Sequence, residues 1–168
     1  YRQSAGTPLQ DGYYYSVGIH PWELKPGNLK RHSDFVIDHL PDEHIVAIGE
    51  CGLDKLKGAS INEQMVALQF EIFMSLEYDL PLILHNVRMA DKILAVKKEF
   101  QPKQAWIWHG FRGKPEQAKQ MLDKGLYLSF GEFYSDEAMR VVPDDRLFLE
   151  TDDSELDIED ILYRAAQV

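Results

Sequence analysis

The sequence has a single cysteine, no apolar run approaching the roughly 20 residues that cross a bilayer, and too few cations to balance its acids. Each shortage excludes something. Cys51 alone cannot form an internal disulfide, so the chain is not a disulfide-built domain and agrees with a reducing compartment. With neither a membrane-length run nor a basic, apolar, small-residue leader, it reads as a soluble cytoplasmic protein with no membrane partner. Lys and Arg number 18 against 28 Asp and Glu, a formal net charge of −10. Long-range electrostatics therefore repel a polyanion, and a nucleic-acid substrate needs local cations from metal or clustered Arg.

What is present is an ordinary globular composition. The 168 residues are 45% hydrophobic and 27% charged, which suits one domain over 1–168 with no linker or low-complexity segment. Short β-branched or aromatic runs alternate with longer amphipathic stretches. Strands are predicted at Tyr13–Ile19, His44–Ile48, Leu82–Leu84, Ala105–Trp108, Leu126–Phe130 and Leu147–Leu149. Helices are predicted near Asn28–His39, Asn62–Tyr78, Met89–Phe100, Pro115–Lys124, Ser135–Arg140 and Asp157–Gln167. Pro115 suits a first helical turn and Gly125 a helix stop. Near-continuous apolar strands such as VAI, LIL and LFL, separated by helices, are those of a covered parallel sheet, so the class is α/β.

A polar residue able to bind metal or carry a proton follows each of five apolar runs: His20, Glu50, His85, His109 and Asp152. The intervals of 30, 35, 24 and 43 residues each fit one βα unit, or two for the last. In a parallel barrel the carboxyl ends of the strands share one mouth, so residues distant in sequence converge there. Two imidazoles and two carboxylates at such a mouth suit a divalent cation, and a carboxylate can bridge two ions. Taken singly, each residue has a bland reading, such as a bonded core His85, a strand cap at His109 or a helix N-cap at Asp152. Their shared placement is what argues for chemistry.

His32, His39 and His44 lack that placement and read as solvent-facing or structural. Trp106, Trp108, Phe70, Phe73 and Tyr13–Tyr15 read as core and rim. Trp22, following His20 and Pro21, keeps a minor stacking reading. Cys51 has no nucleophile signature around it and reads as a small buried residue.

The pieces GIHP (18–21), IGECGLD (48–54), Gln64 leading into LPLILH (80–85), HGFRG (109–113), GLYLSFG (125–131) and LETD (149–152) stand in the order and spacing of the TatD family of metal-dependent deoxyribonucleases, which the chain resembles over nearly its whole length. The resemblance implies a TIM-type (β/α)8 barrel hydrolysing phosphodiester bonds with one to three divalent ions, zinc, manganese, magnesium or similar. It implies Glu50 as a bridging carboxylate and His85 and His109 as ligands of one metal. Asp152 is implied as ligand of another metal and as the base for the attacking water. Arg88 is implied to bind the substrate phosphate, with His20 beside it, and the substrate to be a phosphodiester, single-stranded DNA included. The sequence departs from the family pattern in having no HxH, in HxxR at 85–88 where HxR is usual, in Lys55 after GLD and in Glu71 where Gln is common.

Two other readings use the same residues. An amidohydrolase cleaving C–N bonds often bridges its metals with a modified Lys where Glu50 stands here. A non-catalytic descendant that binds metal or a partner is suggested by the missing HxH and opposed by the four retained ligands. A (β/α)8 barrel takes ~250 residues, or ~200 when compact, and six βα units are counted here. The expectation is that two further units lie upstream of Tyr1, with an earlier strand that carries HxH.

Overall fold

A computed structural model describes residues 9–168. The chain forms two compact units, the first reaching Gln104 and the second running from Ala105 to Val168.

The first unit contains β1 (Tyr15–Val17), α1 (Leu29–His39), β2 (Ile45–Asp54), α2 (Ile61–Tyr78), β3 (Leu82–Val87) and α3 (Ala90–Phe100). The strands pair in parallel in the order β1, β2, β3. β2 is the centre, and its buried residues fall on both faces, as a strand covered by helices requires. Its core neighbours include Ile48, Leu53, Leu68, Ile72, Leu82 and Leu84, all fully buried. Each such side chain contributes about 1.5–3 kcal/mol by leaving water.

β2 is longer than the sequence pattern predicts, continuing through GECGLD instead of stopping at Ile48. The ladder with β3 runs on to Leu53 opposite Asn86 and Asp54 opposite Val87. Glu50 and His85 consequently lie inside strands, not after them. A shift of register between Gly49 and Cys51 leaves Glu50 as the extra residue of a bulge: Gly49 faces Ile83 and Cys51 faces Leu84. Bulges redirect side chains and are frequent beside functional sites.

α2 begins with a capping box, in which Ser60 Oγ accepts from the Glu63 amide at 3.3 Å and Glu63 Oε2 accepts from the Ser60 amide at 3.1 Å. From the next residue, Gln64 clamps the preceding loop. Its Oε1 accepts from the Asp54 amide at 2.7 Å, and its Nε2 donates to the carbonyls of Asp54, Lys57 and Ala59.

The second unit contains β4 (Trp106–Trp108), α4 (Pro115–Asp123), β5 (Leu126–Phe130), α5 (Asp136–Met139), a 3-10 turn (Asp144–Arg146), β6 (Leu147–Leu149) and α6 (Ile158–Ala165). Its strands are also parallel, in the order β4, β5, β6. Trp106, Leu126, Leu128 and Phe130 are fully buried, covered on one side by Ala118 and Met121 of α4. The predicted bounds of β5 and β6 agree with the structure, and Pro115 opens α4 as expected.

Gly52 adopts φ +136°, and a Cβ there would lie 2.0 Å from the His85 carbonyl oxygen. Gly52→Ala must therefore push β2 from β3 or strain the backbone. The expected cost is about 2–4 kcal/mol, read as a lower urea midpoint with unchanged m-value.

Candidate active site

In the first unit, the end of β1, the bulge of β2 and the middle of β3 bring His20, Glu50 and His85 together, with one ligand atom from each lying within 4.8 Å of the others. His20 Nε2 is 3.6 Å from Glu50 Oε2, and His85 Nδ1 is 3.9 Å from the same oxygen. The His20, Trp22 and His85 rings pack edge to face, with centroids 4.5–5.4 Å apart. His20 Nδ1 accepts from the Trp22 amide at 3.2 Å. In the neutral ring the proton is then on Nε2, so His20 faces Glu50 as a donor.

Asp54, at the end of β2, is 3% exposed. Its Oδ1 accepts from the amides of Leu56 (2.7 Å) and Lys57 (3.0 Å), and its Oδ2 from Trp22 Nε1 (2.6 Å). His85 Nε2 approaches Oδ2 at 3.2 Å. Burial alone raises a carboxyl pKa, but these bonds from Trp22, Leu56, His85 and Lys57 outweigh it and hold Asp54 below the usual range. Lys57 Nζ sits 3.4 Å above the Trp22 ring.

In the second unit, His109 follows β4, and Glu150 and Asp152 follow β6. His109 Nδ1 is 2.9 Å from Glu150 Oε1, and Nε2 is 3.5 Å from Asp152 Oδ2. Glu150 also accepts from the Gly110 amide at 2.8 Å and from the Ser129 hydroxyl. Its burial, which raises the pKa, is outweighed by the bonds from His109, Ser129 and Gly110, and the carboxyl sits below the usual range.

Both imidazoles thus pose the same electrostatic problem. A ring that donates one N–H to a buried carboxylate turns a lone pair on its other nitrogen toward a second carboxylate: His85 Nδ1 toward Glu50, His109 Nε2 toward Asp152. Two acceptors facing one another at 3.5–3.9 Å repel unless a cation stands near both. Nitrogen and oxygen donors of this kind suit zinc, manganese or a similar divalent ion, so the residues fit a metal.

Arg88 follows β3 directly, exposed and with φ 57°. Arg112, after β4, lies 5.0 Å from the ring of the exposed Phe133, after β5. Sequence reasoning did not single out Asp54, Glu150, Arg112 or Phe133, although Asp54 and Glu150 stand inside the quoted IGECGLD and LETD. Cys51 is buried as expected, with a thiol pushed up chiefly by burial and also by the nearby Glu71 and Glu50. His32, His39 and His44 are engaged locally by Asn28, the Phe35 carbonyl and Asp42. Tyr13, Tyr14 and Phe73 are exposed.

Parallel βα units that present imidazole and carboxylate groups within strands and just past their carboxyl ends are those of a TIM-type barrel, whose site lies at that face. The chain belongs to the TatD related DNase family, whose profile matches residues 3–156. It is 31% identical over 165 residues to the 3'-5' ssDNA/RNA exonuclease TatD of Pantoea ananatis, covering 89% of this chain and 61% of that protein. It is 33% identical over 151 residues to the uncharacterized metal-dependent hydrolase YabD of Bacillus subtilis, covering 84% and 59%. Among solved structures, the TatD homologue YjjV of Escherichia coli K12 matches with TM-score 0.69 and 28% identity, covering 86% of this chain and 60% of that one. The chain spans between about half and three-fifths of the length of the curated relatives it matches. Its six βα units are units of the TatD-type barrel.

Glu71 of α2 lies beside Gly18, fully buried. Its Oε1 accepts from the Ile19 amide at 2.6 Å, while Oε2 has no hydrogen-bond partner among the described residues. Burial pushes its pKa well up, against the single bond from Ile19. The folded chain keeps this proton while the unfolded chain loses it near pH ~4.3. Glu71 therefore favours folding most below that pH, and stability falls as pH rises toward its folded pKa. Glu71→Gln mimics the protonated acid. Urea unfolding is expected to show near-equal stability at about pH 4 and a gain above ~1 kcal/mol for the variant at neutral pH.

Proposed function

We propose that this protein is a metal-dependent phosphodiesterase acting on single-stranded nucleic acid, with residues 1–168 forming part of a single barrel domain. The observation that carries the reading is the pair of imidazoles, His85 and His109, each aimed at a second carboxylate from a strand end. Glu50 and His85 in the first unit and His109 and Asp152 in the second are the residues that would hold metal, with one to three ions in all. A bound divalent cation would supply Lewis acidity, lowering the pKa of its water toward ~7 and offsetting charge on the phosphoryl oxygens.

The side chains do the rest. Asp152 accepts the proton of the attacking water, and Glu50 serves as the bridging carboxylate. His20 keeps its Nε2 proton as a donor beside Glu50, suited to a phosphate oxygen, and Arg88 binds the phosphate. Exposed Lys55 and Lys57 after β2 and Arg112 after β4 support a polyanionic substrate, because they put cations on strand-end loops of an acidic protein. Single-stranded substrate is further supported by the name of the Pantoea relative. Cytoplasmic residence belongs to the same proposal, supported by one free, buried thiol. No described helix is long and apolar enough to cross a membrane.

The test uses the full-length protein with single-stranded DNA, RNA, bis-p-nitrophenyl phosphate and dihydro-ring amides. Chelation is expected to abolish phosphodiester cleavage and divalent metal to restore it. His109→Ala is expected to lower the rate by more than ~100-fold, beyond the usual range for groups that only support ligands. Cleavage confined to the amides, or full activity in His109→Ala, would overturn the reading.

A further inference from the structure

We propose that Asp54 and Glu150 are positioning residues that lock His85 and His109 in opposite tautomers, so that His85 presents Nδ1 and His109 presents Nε2 to a divalent cation. The proposal rests on the metal-site reading given above.

The geometry of Asp54 fixes its role. Both of its oxygens already accept from groups that can only donate: two amides on Oδ1 and the Trp22 indole on Oδ2. A ring nitrogen 3.2 Å from Oδ2 must therefore donate as well, which places the His85 proton on Nε2. The lone pair is left on Nδ1, the nitrogen on the Glu50 side. Edge-to-face contacts with His20 and Trp22 prevent the ring from turning freely.

Glu150 reaches the opposite nitrogen. Its Oε1 accepts from the Gly110 amide and lies 2.9 Å from His109 Nδ1, while its other oxygen accepts from Ser129. The proton is then on Nδ1, and the lone pair is on Nε2, the nitrogen on the Asp152 side. Asp54 ends β2 in one unit, Glu150 follows β6 in the other, and they use different donors, so neither assignment depends on the other. A carboxylate behind a ligating imidazole fixes ring orientation and raises its basicity, and its loss typically weakens metal binding by about 10–100-fold.

Nitrogen-15 and carbon-13 NMR of the full-length, metal-free protein, at a pH where both rings are neutral, reads the tautomers directly. His85→Ala and His109→Ala supply the assignments. The expected result is His85 protonated at Nε2 and His109 protonated at Nδ1 in the same spectrum. Asp54→Asn puts an NH2 or an oxygen where one arrangement cannot serve all four donors. It is expected to release the His85 tautomer and weaken zinc binding, measured by competition with a chelating dye, by about 10–100-fold. The His109 signals should stay unchanged, and Glu150→Gln should do the converse. Trp22→Phe removes one donor to Oδ2 but leaves the His85 bond, and is expected to keep the His85 tautomer.

Finding the same tautomer for both rings, or the reverse pair, overturns the proposal. This wild-type measurement decides the matter even where Asp54→Asn does not fold. Unchanged tautomers and zinc affinity in both carboxylate variants overturn it too. Opposite tautomers and weakened zinc binding in a protein that cleaves no phosphodiester would sink the hydrolase reading and leave the positioning role standing.

Discussion

A carboxylate removed from water destabilises a fold by several kcal/mol unless donors meet its lone pairs, and at the strand ends of the first unit Asp54 meets that requirement with four. Two are amides of its own loop, one is the Trp22 indole and one is His85. Satisfying this single acid therefore fixes the loop after β2, the plane of Trp22 and the ring of His85 together. Gln64 tightens the same loop from α2. Lys57 is carried over Trp22 because its amide is one of the four donors. The bulge at Glu50 then has a rigid neighbour to face.

The second unit reaches the same end with other residues. Glu150 lies past β6 and draws its donors from Gly110, Ser129 and His109. Glu71 is the instructive contrast, because it is fully buried but has one backbone donor and an oxygen with no hydrogen-bond partner among the described residues. Its carboxyl keeps a proton where Asp54 and Glu150 lose theirs. Donor supply, together with burial, separates the acids that can orient an imidazole from the one that meets a single amide.

This division explains what could be read from sequence. The alternation of strands and helices was legible because βα spacing is periodic, although Glu50 and His85 lie within strands and not after them. β5 and β6 were legible because LYLSF and LFL are bounded by clear turn chemistry. β2 was cut short because Gly49 and Gly52 resemble strand breakers, whereas here they allow close approach to Ile83 and His85. Asp54 was hidden for another reason. Its partner His85 is 31 residues away and on another strand, so its acid looked like the end of a motif and not the support of a ligand. The Arg112–Phe133 contact joins two loops and leaves no periodic trace.

Charge gives the last step. A net charge of −10 argues against a polyanion until the acids are sorted by what they face. Asp54 and Glu150 are held as carboxylates by internal donors, whereas burial favours the neutral form of Glu71. The strand-end loops of the first unit expose Lys55, Lys57 and Arg88. In the second unit the loop after β4 exposes Arg112, but the loop after β6 exposes Asp152 and Asp153. These exposed side chains are thus cationic on the first-unit loops and anionic on the β6 loop. In the reading proposed above, a cation held by the imidazole facing Asp152 would offset the charge of that loop.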